Sequence, residues 1–295
     1  MSVEFSIKDL ENICGVKAHT IRMWEKRYNI LAPNRTVTNI RTYDAHSLKK
    51  LLSVSFLVNC GYKISRVAKL SDEEINEYLR IVISDKTLID HSSNLLKLAM
   101  LNYSATTFNE AYSEMIERLS FNTVFDDIFI PFLKEIGTLW QLGTINNSHE
   151  HFITNLIKQK LYNRIEFLQQ TESTRSRCFV LFLPEGEISN LSLLYLYQIL
   201  LSKGYKTIFL GHGTHLEHLV EVSKLHTDMV FLTYITISLN TDTINTYIDN
   251  FREAIGFTYG HEIWLMGRIT KQAPISIDSK TKVINNFKDF ELLVN

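Results

Sequence analysis

The sequence predicts a multidomain chain: a small winged helical module, then a four-helix bundle, then a doubly wound α/β domain. Three observations carry this. The first 70 residues hold 12 Lys/Arg against 5 Asp/Glu, with short amphipathic stretches around a basic hairpin. Residues 87–169 then keep a helical period with only Gly137 and Gly143 inside it. From Cys178 onward, apolar runs alternate with helical patterns, as in sheets built from parallel strands.

The remaining composition excludes several classes. The chain has 295 residues, 45% of them apolar, and a formal net charge of -1. That is too apolar for a disordered or low-complexity chain. No run approaches the 18 uncharged apolar residues of a membrane span, and the start lacks a leader pattern. Three scattered cysteines, Cys14, Cys60 and Cys178, form neither a disulfide framework nor a CxxC pair. A cytoplasmic protein is expected. The residues after Leu70 hold 19 basic and 27 acidic groups, so a basic head is joined to an acidic body. Such a head suits an anionic partner, nucleic acid first.

Within the head, Ser6 is placed to cap a helix from Ile7 to about Ile13 that Gly15 ends. The next helix spans Ala18 to Tyr28, with Ile21, Trp24 and Tyr28 inward and His19, Arg22 and Lys26 on the opposite stripe. Residues 35–43 read as a wing turning at Thr38-Asn39, and Asp44 caps a helix carrying Leu48, Leu51 and Leu52. Gly61 precedes a short helix containing Ile64, Val67 and Leu70. Residues 71–85 read as a partly helical connector. The bundle helices are expected at 87–101, 106–120, 122–142 and 148–169. In the last domain, strands are expected at 178–183, 206–210, 228–234, 262–266 and 282–284. Helices are expected at 190–203, 215–225, 241–254 and 286–294. Cys178-Phe-Val-Leu-Phe-Leu183 is apolar without alternation, the pattern of a strand covered on both faces. Domain limits of 1–75, 86–170 and 177–295 follow.

The stretch SIKDLENICGVKAHTIRMWEKRYNIL, with Pro33, Arg35 and NIRTY, resembles the winged helix-turn-helix of MerR-type transcription regulators. The resemblance implies a second helix in the major groove of operator DNA and a wing on its backbone. It assigns DNA contact to Lys17, His19, Thr20, Arg22, Lys26, Arg27, Arg35, Arg41 and Tyr43. Arginine can fork onto guanine or phosphate, and lysine neutralises phosphate. Glu25 would be repelled by phosphate, so pairing with a nearby arginine suits it better, and Trp24 is expected in the core.

The body resembles the cobalamin-binding region of methionine synthase and of light-sensing B12-dependent repressors: a helical cap followed by a Rossmann-like (flavodoxin-like) domain. Trp140, separated by nine residues from Glu150-His151, matches the cap motif over the corrin's upper face. The family's D/E-x-H-x-x-G loop corresponds to Glu187-Ile-Ser189-Asn-Leu-Ser192, with serine where the cobalt-ligating histidine should stand. Serine is a poor cobalt ligand at neutral pH. Thr233, Thr236 and Ser238 match the family's hydroxyl-bearing segment, and Gly267-Arg268 its Gly-Gly. These residues imply a degenerate cobalamin-type pocket: cobalamin without lower histidine ligation, or another small-molecule effector or a regulatory protein. No motif for an enzyme or a metal centre is present in the sequence. The expected function is a homo-oligomeric, DNA-binding repressor with no membrane role.

Overall fold

The computed structural model describes residues 4–83, 85–187, 190–236, 241–256, 260–268, 275 and 278–295. The chain forms two compact units, Met1–Ile157 and Lys158–Asn295.

The first unit opens with β1 (Phe5–Ser6) and α1 (Ile7–Cys14). Ser6 and Asp9 form a reciprocal capping box, and Gly15 ends the helix in the left-handed conformation that lacks a steric penalty for glycine. Helix α2 (Ala18–Tyr28) buries Ile21 and Trp24, so Trp24 is core, and left-handed Asn29 stops it. The wing consists of β2 (Asn34–Arg35) and β3 (Arg41–Tyr43), and β3 lies between β1 and β2 in an antiparallel sheet. Helix α3 (Ala45–Asn59), capped by Asp44, supplies Leu48, Leu51 and Leu52 to the head's core, and α4 (Ile64–Val67) adds Val67.

The connector is more ordered than its sequence suggests. It is a full helix, α5 (Asp72–Val82), because Ser71 and Glu74 form a second capping box and Ile75 and Leu79 are buried. Helices α6 (Asp85–Leu101) and α7 (Ala105–Arg118) follow. Helix α8 (Phe121–Thr123) runs into a π-helical turn, Val124–Phe129, and then α9 (Ile130–Gln141). Pro131 explains the turn. Its missing N–H cannot bond Asp127 and its ring would crowd that carbonyl, so the Ile130 N–H reaches back to Phe125 instead. Helix α10 (Asn147–Gln169) completes the series, and Phe108, Phe125, Phe129, Phe132 and Ile153 fill the interior.

The second unit contains β4 (Arg175–Phe182), α11 (Leu191–Ser202), β5 (Tyr205–Gly211), α12 (Leu216–Ser223) and β6 (Val230–Ile235). It continues with α13 (Thr241–Phe251), a π turn Arg252–Gly256, β7 (Glu262–Gly267), β8 (Thr281–Val283) and α14 (Phe287–Leu293). All five strands are parallel in the order β5-β4-β6-β7-β8. One face packs Val180, Phe182, Phe231 and Leu265 against Leu219, Ile244 and Ile248. On the other, Phe179 meets Trp264 edge to face, and Trp264 meets Phe290 of α14. Burial on both faces is why the β4 sequence does not alternate. Each fully buried Phe or Leu contributes roughly 1.5–3 kcal/mol. Strand order reverses between β4 and β6, and crevices at such a point are where open α/β sheets take ligands.

Candidate DNA-binding face and effector region

Helix α2 presents His19, Arg22, Lys26 and Arg27 to solvent, with Thr20 half-buried beside them. Arg27 stacks over Tyr28 at 5.4 Å, which leaves its guanidinium edge available. Lys17 is exposed and ion-paired with Glu11 at 3.3 Å. On the wing, exposed Arg35 donates to Asn39 Oδ1 at 2.5 Å, and Asn39 holds a left-handed backbone with φ of 63°. That pair shapes the tip, where Val37 and Ile40 are exposed.

Glu25 is the hub between recognition helix and wing. Its Oε2 pairs with Arg41 Nε at 3.3 Å, and its Oε1 accepts from the Tyr43 hydroxyl at 2.5 Å. Arg41 keeps about a third of its side chain exposed, enough for a backbone contact. Tyr43 is a correction to the sequence reading. It is 1% exposed and its hydroxyl is spent on Glu25, so it anchors the wing internally and cannot reach DNA. Burial first, then the facing Glu25 carboxylate, push its phenol well above the usual range.

In the cap, Trp140 lies at the end of α9 with 49% of its surface exposed, beside exposed Leu142. It is therefore not bundle core. Glu150 and His151 are both exposed in the first turns of α10. The cap there is Asn146, whose Oδ1 accepts from the His149 N–H at 3.2 Å, while His149 Nδ1 accepts from the Asn146 N–H and its ring stacks on Tyr103 at 4.8 Å. Burial holds the His149 imidazole below its ordinary range.

In the α/β unit, Glu187 sits buried just past β4. Its two oxygens accept from the Thr236 N–H at 2.9 Å and the Thr236 hydroxyl at 2.7 Å. This pair bridges the loops after β4 and β6, at the strand-order reversal. Thr233 is 0% exposed on β6 and its Oγ1 has no partner among the described residues. Gly267 ends β7 at φ +108°, and a Cβ there would lie 2.2 Å from the Ile235 carbonyl oxygen, so side-by-side strand packing itself requires glycine. Glu187, Thr233, Thr236 and Gly267 thus gather at the same end of the sheet; Ser189 and Ser238 lie outside the described residues. His215, at the start of α12, pairs with Glu185 at 3.6 Å on the surface. No group of three or more His, Cys, Asp or Glu side chains among the described residues could hold a metal ion.

The chain matches known proteins in two regions. Residues 5–74 match the MerR HTH family regulatory protein model, and residues 93–164 match a B12 binding domain model. The chain joins a MerR-type helix-turn-helix domain to a B12-binding-type region. It is 24% identical over 271 residues to the HTH-type transcriptional repressor CarH of Myxococcus xanthus, covering 89% of this chain and 88% of that protein. The monomethylamine corrinoid protein of Methanosarcina barkeri shares the fold, with a TM-score of 0.54 at 12% identity. That match covers 72% of this chain and 99% of that one. No helix among the described residues is long and apolar enough to cross a membrane.

The MerR-type head contains positioning residues that its sequence does not announce. Asn12 Nδ2 donates to Thr144 Oγ1 at 2.8 Å, across 132 residues. Buried Lys97 of α6 donates to the Ile13 carbonyl at 3.2 Å and pairs with Glu135 of α9 at 2.6 Å. No local pattern marks these contacts, since each partner reads as an ordinary polar helix or loop residue. Both tie α1 to the helical part of the B12-binding-type region.

Proposed function

We propose that this chain is a cytoplasmic, homo-oligomeric, sequence-specific transcriptional repressor and not an enzyme. Its B12-binding-type region controls assembly and head placement in response to an effector or a protein partner. The observation that carries the reading is the exposed His19–Arg22–Lys26 stripe of α2, fixed to the basic wing through Glu25, in one chain with that region. Lys17, Thr20, Arg27, Arg35 and Arg41 complete the contact set on this reading. Arg22 contributes base or phosphate contact, and the lysines neutralise phosphate. An effector shifts operator occupancy by binding one arrangement of the chain better than another.

The residues fit a corrin unevenly. Trp140, Glu150 and His151 are exposed and would serve its upper face. On the lower side, Glu187 is committed to Thr236, and the loop from Pro184 to Ser192 contains no imidazole. We therefore assign no lower cobalt ligand to this chain and favour a replaced effector or a protein partner. The exposure of Trp140 supports the second reading, cobalamin held without a lower histidine.

One experiment tests both levels. An operator is selected from random duplexes by the purified chain, and Arg22→Ala is compared with a remote surface substitution. Specific affinity falls at least tenfold for Arg22→Ala alone if the head is used as proposed; equal affinity overturns it. The same protein is dialysed in the dark against adenosylcobalamin and methylcobalamin and read by visible absorbance and oligomer mass. Absence of retained corrin supports a replaced effector or partner, and stoichiometric retention supports the second reading.

A further inference from the structure

A cavity of about 380 Å³ lies within the first unit where the head's α3 and the connector α5 meet α6 and α7. It falls in the size range of small-molecule pockets. Its apolar lining is Leu52 and Phe56 from α3, Leu79 from α5, and Leu95 and Leu98 from α6. Leu52 and Phe56 are four residues apart on α3, and Leu95 and Leu98 three apart on α6, so each pair shares a helix face, and Leu79 of α5 joins them. The lining also includes two cations.

Those cations are Lys49 of α3 and Arg80 of α5. Both are exposed, and neither makes a side-chain hydrogen bond or ion pair among the described residues. The neighbouring Lys50 does pair, with Asp72 at 3.0 Å, so acidic partners are within reach of this seam and have been used by the other lysine. The amide of Asn94 also faces the cavity with no partner among the described residues. The His91 ring, also in the lining, meets Phe56 edge to face at 5.5 Å, and Glu114 of α7 contributes a carboxylate. Burial holds the His91 imidazole below its ordinary range, opposed by Glu114.

We propose that this cavity, between the head and the helices of the B12-binding-type region, is a second effector site, separate from Trp140, Glu150 and His151, for a small amphipathic anion. The ligand is an aryl or alkyl chain ending in one carboxylate or sulfonate. Its apolar body lies on the leucines and Phe56, and its acid lies between Lys49 and Arg80. Because α3 belongs to the DNA-binding head and α6 and α7 to the bundle, the occupant bridges the two.

The test uses the full chain with two fluorescent probes of the same aryl frame, 1-anilinonaphthalene-8-sulfonate and uncharged N-phenyl-1-naphthylamine. One sulfonate probe binds per chain. In the double variant Lys49→Gln/Arg80→Gln, both exposed positions, its Kd rises about tenfold while the uncharged probe changes less than twofold. Ser53→Trp, which projects bulk into the cavity, abolishes binding of both. The charge variant decides alone should Ser53→Trp fail to fold. Absence of saturable 1:1 binding overturns the site, and so does a sulfonate Kd unmoved by the double variant. Neither result depends on operator or cobalamin binding, so the repressor reading stands or falls separately.

Discussion

Asn12 and Thr144 are joined by a hydrogen bond of 2.8 Å that links α1 of the DNA-binding head to the loop between Trp140 and Glu150. Gly143, in the left-handed conformation, and the Thr144 N–H, bonded to the Leu139 carbonyl, hold that loop against α9. A displacement at the exposed Trp140 edge therefore has a short covalent and hydrogen-bonded path to the head. A double-mutant cycle with Asn12→Ala and Thr144→Val is expected to give a coupling of about 1 kcal/mol. Denaturant melts of the four proteins measure it, and additive effects would remove the link.

Lys97 is the stronger tie. Lys97→Met strands the Ile13 carbonyl and leaves Glu135 without its cation. Loss of about 1–2 kcal/mol is expected, because the Ile13 carbonyl loses its donor while Glu135, with 37% of its side chain exposed, stays solvated. Lys97→Met with Glu135→Leu should recover part of that loss. Urea midpoints compare the two, and equal destabilisation would show that the pairing itself contributes little.

Tyr43→Phe tests the corrected role of this residue. Removing a hydrogen bond to a carboxylate is expected to cost about 2 kcal/mol of stability. It should weaken operator binding without altering the salt dependence, since no phosphate contact is lost. Arg41→Gln, in contrast, should reduce the slope of log affinity against log salt by about 1. Titrations across a salt series separate an anchor from a contact.

Buried His261 gives the α/β unit an acid sensitivity. Its Nδ1 accepts from the Met229 N–H, and its Nε2 faces the Ser223 carbonyl at 3.1 Å, which fits the neutral ring. Burial lowers its pKa, against the opposing pull of Ser223 and Asp228. Above pH about 6.5 neither folded nor unfolded chain carries the proton, so this group adds no pH dependence. Below that, the unfolded chain binds the proton first, and stability falls by up to about 1.4 kcal/mol per pH unit until the folded ring also titrates. His261→Gln should flatten that part of the profile between pH 6.5 and 5; an unchanged slope would assign it to other groups.

Thiol chemistry should distinguish Cys14 from Cys60. Burial pushes the Cys14 thiol up to about 12, with Lys97 opposing, whereas the rise at Cys60 is smaller. Little of the Cys14 thiol is then the reactive thiolate at pH 8. Ellman's reagent should label Cys60 well before Cys14, and Cys14→Ser should leave the fast phase intact. Loss of that phase in Cys14→Ser would contradict the burial assigned here.

What could be read from the sequence was local. Ser6 and Gly15 bound α1, and the unbroken run from Cys178 forms most of the interior strand β4, because caps and two-sided burial act over neighbouring residues. The pairing of Glu25 with an arginine was legible because a carboxylate beside phosphate needs a cation. The burial of Tyr43 was not, since a wing tyrosine and an anchoring tyrosine carry the same pattern. Asn12, Thr144 and Lys97 find partners 84 to 132 residues away, and only the folded chain brings those together. The full length of the helix at Asp72–Val82 was not legible, since the burial of Ile75 and Leu79 that holds it depends on contacts outside the segment.

The π-helical turn at Val124–Phe129 acts as a phase setting for the helix beyond it. It accommodates one residue more than an α-helical path of the same rise. Everything downstream is rotated by about 100° relative to an uninterrupted helix. That offset puts Leu139 inside and Trp140 outside. Removing a single residue from the turn would restore α-helical hydrogen bonding and exchange these positions, withdrawing the indole from the surface. The outward-facing tryptophan is thus a product of chain length as much as of residue identity, and a one-codon insertion or deletion some ten residues upstream is a route by which relatives could gain or lose it.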